Sequence, residues 1–225
     1  MTTNAGNDDV LVIMAKAPRR GHVKTRLDRV LRPDAVLALY RCMIEDTIAL
    51  AHAAGAPRLA VVCPSGDADE LARWLGIEVV VQDGNGLAAG LDSVFRLFCG
   101  GGRRRVIAFN GDSPHLAAET LAGAFSLLDT HDLVVGPTTD GGYYLVGATR
   151  PHPGLFERGG MGTGTALRSL LSRAHALGLR VALTEECYDV DDGEDLARLA
   201  ADLRAAPARA PRTAAWLAAR QEPEK

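Results

Sequence analysis

The sequence predicts an α/β fold in which helices cover both faces of a mostly parallel sheet. Apolar runs that are typical of buried strands, such as Val10–Ala15 and Leu59–Cys63, alternate along the chain with segments of helical periodicity. Repeated strand–helix units of this kind build parallel sheets. The chain has 225 residues and is 47% apolar, which is sufficient for one domain with a substantial core.

Short apolar runs bounded by polar or glycine-containing turns define the expected strands. The run at Val10–Ala15 is continuous, as expected for a strand that is buried on both faces. In chain order the predicted strands are Val10–Ala15, Leu59–Cys63, Glu78–Val81, Val106–Phe109, Leu133–Val135 and Tyr143–Val146.

Helical periodicity is clearest after Pro33, where Val36, Leu39 and Met43 recur at helical spacing. Proline suits the first turn of a helix, and Gly55 suits its end. In chain order the predicted helices are Pro33–Ala54, Ala68–Leu75, Leu87–Phe98, Ala117–Leu128, Ala166–Leu177 and Glu194–Arg204.

These elements predict a single domain over residues 1–205, followed by a C-terminal tail over residues 206–225. The tail is rich in Ala, Pro and Arg. We assign no helix to it, although Trp216 and Leu217 give it apolar residues that a docked helix would use.

Composition argues against several classes of protein. The net charge is −3, with 25 basic and 28 acidic residues, which disfavours a nucleic-acid partner. We expect no membrane partner, because the sequence has no long apolar segment, and no signal peptide, because Met1–Asp9 is polar. The four cysteines lie far apart, as in a reduced cytoplasmic protein, and that is the expected location.

The loop after the first strand is strongly basic. Ligands of parallel α/β folds bind beyond the carboxyl ends of the strands, where cations and backbone N–H groups can hold a polyphosphate. A solvated basic loop is the alternative interpretation. The loop lacks the spacing of the NTPase P-loop and of the dinucleotide fingerprint. Its basic residues are Lys16, Arg19, Arg20, Lys24 and Arg26, which flank Gly21.

Carboxylates follow two later segments. Asp112 comes just after the strand Val106–Phe109 and would face the same crevice as the basic loop, unless it only caps a turn. Asp189 and Asp191 alternate around one residue, so an extended segment would point both to one side, as a hard divalent cation requires. Helix capping is the alternative near Asp192, and both interpretations can hold together.

Four motifs carry a resemblance to a known family. They are "MAKAPRRGHVKTRL" from Met14, "NGDSPHL" from Asn110, "GPTTDGGYYLVG" from Gly136 and "DVDDGEDL" from Asp189. In this order the chain resembles the rSAM/selenodomain-associated transferases, which belong to the nucleotide-diphospho-sugar transferase superfamily. It is more distantly similar to 2-phospho-L-lactate guanylyltransferase and molybdenum cofactor guanylyltransferase. The resemblance implies the GT-A fold, a Rossmann-like three-layer sandwich.

The resemblance also implies roles for individual residues. The metal ligands would be Asp112, Asp189 and Asp191, with Mg²⁺ or Mn²⁺ as the cofactor. The groups acting in catalysis would be Lys24, Arg26 and Asp140. The nucleotide-binding residues would be Ala15, Lys16, Ala17, Gly21, Lys24 and Arg26. The loop Thr138–Tyr143 joins two predicted strands at the far end of the crevice, and this place, rather than the resemblance, predicts that it contacts the acceptor. The expected acceptor-binding residues are Asp140, Gly141, Gly142, Tyr143 and Thr163.

Three functions remain open from the sequence. The first is a metal-dependent nucleotidylyl transfer from an NTP to a small phosphorylated or carboxylate acceptor, which the basic loop favours. The second is a glycosyltransferase that uses an NDP-sugar, with Asp140 or a neighbouring carboxylate as the base. The third is a nucleotide-binding protein without catalysis, which the three retained carboxylates disfavour.

Overall fold

The structure is a computed structural model of the chain, and it describes residues 9–100, 104–156 and 164–220. In these ranges it contains a sheet of seven strands. The strands are β1 (Val10–Met14), β2 (Arg58–Cys63), β3 (Glu78–Val81), β4 (Val106–Asn110), β5 (Leu133–Pro137), β6 (Tyr143–Ala148) and β7 (Val181–Leu183).

Helices flank this sheet on both sides. They are α1 (Pro33–Ala53), α2 (Ala68–Leu75), α3 (Gly86–Phe98), α4 (Ala118–Leu127), α5 (Ala166–Ala176), α6 (Gly193–Ala205) and α7 (Pro211–Ala219). Short 3₁₀ turns lie at Thr25–Arg29, Ser65–Asp67 and Pro207–Arg209. In the described part of the chain, no helix is long and apolar enough to cross a membrane.

The strand order across the sheet is β3-β2-β1-β4-β6-β5-β7. All neighbouring pairs are parallel except those of β6, which runs antiparallel to β4 and β5. The carboxyl ends of β1 and β4 therefore meet at one edge of the sheet, together with the amino end of β6. The predicted fold class, a three-layer α/β sandwich around a mostly parallel sheet, is confirmed.

Alternate residues of each strand fill two separate layers of the core. Leu11 and Ile13 of β1 pack on the side of α1, α2 and α4, whereas Val10 and Val12 pack on the side of α3 and α5. These strand residues are almost fully buried. Burial of both faces explains why the strands read as continuous apolar runs in the sequence.

Two elements were missing from the predicted set. The edge strand β7 has three residues and an exposed Leu183, which is too short a run to give an alternating signal. The segment after α6 is not devoid of structure, because α7 packs against α1 and buries Leu217 in a third apolar cluster with α6.

A buried carboxylate holds α7 in place. Asp46 of α1 is 1% exposed and accepts hydrogen bonds from the backbone N–H groups of Arg212 (3.1 Å) and Thr213 (2.8 Å). These are first-turn N–H groups of α7, which have no partner within the helix. Asp46 thus supplies from α1 the cap that the sequence around Ala210 does not provide.

Candidate active site

A cleft of about 720 Å³ opens at the carboxyl edge of the sheet. The loops after β1 and β4 form its walls. In the sheet, β1 lies between β2 and β4, so the chain leaves β1 towards β2 on one side and later adds β4 on the opposite side of β1. This position is a topological switch point, where open α/β sheets bind their ligands. A cleft of this size suits a nucleotide-sized ligand.

The phenol of Tyr40 fixes the beginning of the loop after β1. Its hydroxyl accepts a hydrogen bond from the backbone N–H of Lys16 (3.1 Å) and donates one to the carbonyl of the same residue (3.0 Å). Burial raises the pKa of Tyr40, so the phenol keeps its proton. Both backbone groups of Lys16 are therefore satisfied by one side chain from α1.

We expect Tyr40→Phe to lower the free energy of unfolding by about 1–3 kcal/mol, because two backbone groups of Lys16 lose their partner. Urea denaturation measures this loss. Thr130→Val is the matched control, since it removes an exposed hydroxyl whose hydrogen bonds, to the carbonyl of Leu127 (3.4 Å) and to His131 Nδ1 (3.0 Å), lie at the surface. Equal stability of the two variants would show that the phenol does not hold the loop.

The structure divides the basic residues of the loop into two groups. Arg19 leaves the cleft and binds Asp67 and Glu70, each at 2.9 Å, while Arg20 binds Asp34 of α1. These two arginines tie the loop to its neighbours. Of the five basic residues in the predicted phosphate cluster, they are the two that do not line the cleft among the described residues.

Lys24 is the central cation of the cleft. Its side chain is 6% exposed, and its ammonium nitrogen lies 2.6 Å from Asp112 Oδ1 and 3.0 Å from Asp191 Oδ1. Although burial opposes the charge, the two carboxylates raise the pKa of Lys24, so it is protonated. Arg26 is more exposed and reaches Asp191 Oδ2 at 3.4 Å.

Asp189 lies behind these ion pairs. Its Oδ1 accepts hydrogen bonds from Asn110 Nδ2 (2.9 Å) and Ser113 Oγ (2.8 Å). Burial, together with the negative charge of Asp112, raises the pKa of Asp189 to about 6. The backbone N–H of Val190 donates to the carbonyl of Asp112 (2.9 Å), which joins the two acidic segments. The three predicted carboxylates are therefore brought together at the cleft.

The carboxylates beyond Asp191 have a capping role. Asp192 accepts hydrogen bonds from the N–H groups of Glu194 and Asp195 at the start of α6. Asp195 in turn accepts from the N–H groups of Asp191 and Asp192. This capping box leaves the side chains of Asp189 and Asp191 facing the cleft, so the two interpretations of the motif hold together.

The chemistry of these donors fits a divalent cation. In the part of the chain that the structure describes, no three His, Cys, Asp or Glu side chains form a ready-made metal site. However, Mg²⁺ is usually bound by only one or two carboxylates plus substrate phosphates. Asp112 and Asp191 already share one cation, the Lys24 ammonium. Burial is the main cause of the raised pKa of Asp189, and the negative charge of Asp112 adds to it.

The loop between β5 and β6 forms the opposite wall. Asp140 Oδ1 accepts hydrogen bonds from Thr138 Oγ1 (2.5 Å) and from the N–H of Gly142 (3.0 Å), which closes the turn. Gly141 has a left-handed φ of +84°, and a side chain there would clash with the backbone carbonyl of Gly164. Any residue with a side chain at position 141 would therefore force the backbone of this loop or of Gly164 to move.

Most of the predicted site residues reach the cleft, and three described ones do not line it. Ala17 is buried and donates its N–H to Asp67 (3.1 Å), while Gly21 and Gly141 serve loop geometry. Thr163 lies outside the described residues. Those that line the cleft are Ala15, Lys16, Lys24, Arg26, Asp112, Asp140, Gly142, Tyr143, Asp189 and Asp191.

Sequence reasoning missed the residues that position these groups. Asn110 binds Asp189 and also accepts the N–H of Asp112 (3.2 Å), and Tyr40 reaches the site from α1. The position of Asn110 directly after a predicted strand could have marked it as a site residue. Nothing in the sequence marked Tyr40, because its place among the apolar positions of a predicted helix already accounted for it.

Comparisons with known proteins place the chain in a family. The matching family model covers residues 47–163 and is described as "Uncharacterized protein conserved in bacteria (DUF2064)". The chain is 30% identical to a 3-phospho-D-glycerate guanylyltransferase of Phenylobacterium zucineum over 79% of its own length and 84% of the relative. It is also 30% identical to a phosphoenolpyruvate guanylyltransferase of Rubrobacter xylanophilus, over 79% of this chain and 87% of the relative.

Solved structures agree with this placement. A putative nucleotide-diphospho-sugar transferase from Desulfovibrio desulfuricans superposes with a TM-score of 0.86 at 26% identity, over 95% of each chain. A manganese complex of a Mycobacterium tuberculosis protein shares the fold, with a TM-score of 0.50 at 22% identity over 85% of this chain and 96% of that one. The family match and the two guanylyltransferase relatives show that the chain belongs to the DUF2064 family, within the nucleotide-diphospho-sugar transferase superfamily that its motifs resemble.

Proposed function

We propose that this protein, a nucleotidyltransferase, transfers a nucleotidyl group from an NTP to a small phosphorylated carboxylic acid. The observation that carries the proposal is the buried Lys24 ammonium between Asp112 and Asp191, at the switch point of the sheet. The names of the two relatives support GTP as the donor and a phosphoglycerate-like or phosphoenolpyruvate-like acceptor.

In the proposed reaction, an oxygen of the acceptor's phosphate attacks the α-phosphorus of the NTP. The bond from that phosphorus to the bridging oxygen breaks, and pyrophosphate leaves with the electron pair. No protein nucleophile is needed, because phosphoryl chemistry depends on positioning and electrostatic stabilisation. Lys24 and Arg26 would stabilise the negative charge on the phosphates. The hydrogen bonds between the Tyr40 hydroxyl and the backbone of Lys16 would hold the loop that places Lys16 at the cleft.

A divalent cation fits this scheme. Asp112 and Asp191 would hold it, with Asp189 behind them, and Asn110 and Ser113 orient Asp189 by hydrogen bonds. When bound, such an ion neutralises phosphate charge and orients the triphosphate. We propose Mg²⁺ or Mn²⁺ because carboxylate oxygens are the donors that hard cations prefer.

The experiment is a pyrophosphate-release assay with each of the four NTPs and Mg²⁺ or Mn²⁺. The acceptors are 3-phosphoglycerate, phosphoenolpyruvate and 2-phospholactate, with lactate as the unphosphorylated control. We expect pyrophosphate and a nucleotidylated acceptor, identified by mass, with GTP as the best donor. Release of a nucleoside diphosphate from an NDP-sugar, without any product from an NTP, would instead support the glycosyltransferase alternative.

We predict that the β5–β6 loop contacts the acceptor. Asp140→Ala should lower kcat or raise the acceptor KM by about tenfold or more, while nucleotide affinity stays unchanged. Steady-state kinetics and calorimetric titration with the nucleotide measure the two effects. Thr138→Val is the control, because it removes the hydroxyl that closes the turn but keeps the carboxylate. The same defect in both variants would mean that Asp140 only closes the turn.

A further inference from the structure

We propose that Lys24 is a built-in counter-ion, whose ammonium occupies the cation position between Asp112 and Asp191 and leaves it when a divalent metal enters. The proposal rests on the proposed function for the divalent cation at Asp112 and Asp191 and for the phosphates of the nucleotide as the destination of the displaced ammonium. The Lys24 ammonium would first lie between the two carboxylates and then, once the metal is bound, beside the phosphates.

The geometry around the ammonium carries the first step. The nitrogen of Lys24 contacts one oxygen of Asp112 (2.6 Å) and one of Asp191 (3.0 Å), so it bridges the carboxylates as a metal ion would. A metal ion held by the same two carboxylates would compete with Lys24 for these oxygens. A divalent ion there would also repel an ammonium within a few ångströms. Occupation by both cations together is therefore unfavourable.

The backbone of Lys24 shows that this position is held under strain. Its φ of 48° and ψ of 39° lie in the left-handed region, and in the described residues it is the one non-glycine with a positive φ. A side chain in this region persists only when its surroundings compensate for the strain. The two ion pairs are the compensation that the structure offers. Releasing the ammonium would therefore also release the backbone.

The choice of residue fits an exchangeable cation. The chain contains three lysines among 25 basic residues, and two of them, Lys16 and Lys24, lie in this loop. An ammonium is a compact point charge on a flexible stem, whereas a guanidinium is a planar fork that would not match a single metal position. Arg26 illustrates the difference, because its side chain is 66% exposed and it contacts the other oxygen of Asp191, Oδ2, at 3.4 Å.

A measurable consequence is that the metal alone must compete with Lys24. Calorimetric titration with Mn²⁺, in the absence of nucleotide, tests this in wild type, Lys24→Met and Arg26→Met. We expect Lys24→Met to bind Mn²⁺ at least about tenfold more tightly than wild type, because the competing cation is gone. Arg26→Met should gain at most about threefold, because an exposed charge is screened by solvent and salt. Equal gains in the two variants, or no gain in Lys24→Met, would overturn the proposal.

A second readout uses the wild-type chain and needs no variant to fold. Acetylation of lysine by a water-soluble reagent is followed by mass spectrometry, with and without saturating Mn²⁺. Lys16 is exposed in the same loop and serves as the internal reference. We expect Mn²⁺ to accelerate labelling of Lys24 several-fold relative to Lys16, and an unchanged or slower rate would overturn the exchange. Neither readout depends on turnover, so both remain informative if the transfer assay fails.

Discussion

Replacing Asp112 by asparagine should reduce nucleotidyl transfer by about 10²- to 10³-fold while the protein stays folded. Asparagine keeps the size of the side chain but removes the charge that pairs with Lys24 at 2.6 Å. The backbone N–H of Asp112 keeps its bond to Asn110, so the turn after β4 is preserved. The measurement is the rate of pyrophosphate release at saturating nucleotide and metal, with a thermal melt as the check of folding.

Asp83→Asn is the matched control for this variant. Asp83 is a 78% exposed partner of Arg96 at 3.2 Å, and it does not line the cleft in the described part of the chain. Its replacement should leave the rate unchanged. Near-wild-type turnover of Asp112→Asn at saturating metal would remove Asp112 from the proposed metal and charge-stabilising role.

A comparably large effect, this time on stability, is expected from Asp46→Ala. The change leaves the N–H groups of Arg212 and Thr213 without their acceptor at the start of α7. We expect the free energy of unfolding to fall by about 2–4 kcal/mol, the sum of a lost cap and of buried donors left unpaired. Urea denaturation, with the transfer rate measured per folded molecule, separates stability from catalysis.

Asp34→Ala provides the comparison within the same helix. Asp34 is 76% exposed and pairs with Arg20, so its loss should cost less than about 1 kcal/mol. If both variants lost the same stability, the buried position of Asp46 would have no special importance. If Asp46→Ala lost no stability at all, α7 would not be held by this carboxylate.

The sequence carried enough information for the layers of the fold and for the place of the site. Continuous apolar runs identify strands such as β1, because a strand buried on both faces has no polar positions. The rule that ligands bind at the carboxyl ends of strands then selects three clusters from many charged residues: the basic loop after β1, Asp112, and the pair Asp189 and Asp191. Among these residues, the structure places Lys24 in direct contact with Asp112 and Asp191.

The features that the sequence did not predict depend mainly on residues that are distant in the chain. The basic loop could not be divided from its sequence, because Arg19 is drawn away by Asp67 and Glu70, about 50 residues further on. The left-handed backbone of Lys24 is likewise invisible, since lysine carries no turn signal. Helix α7 was missed because its cap belongs to Asp46 on another helix.

The antiparallel direction of β6 has a consequence for how such enzymes diversify. Because β6 reverses next to β5, the short β5–β6 loop is delivered to the ligand edge of the sheet, while the loops after β1 and β4 come from the parallel part. If the β5–β6 loop contacts the acceptor as proposed, acceptor specificity and nucleotide binding depend on separate segments of the chain. Exchanging residues 138–142 between relatives would then alter the acceptor while the nucleotide-binding loops after β1 and β4 stay unchanged.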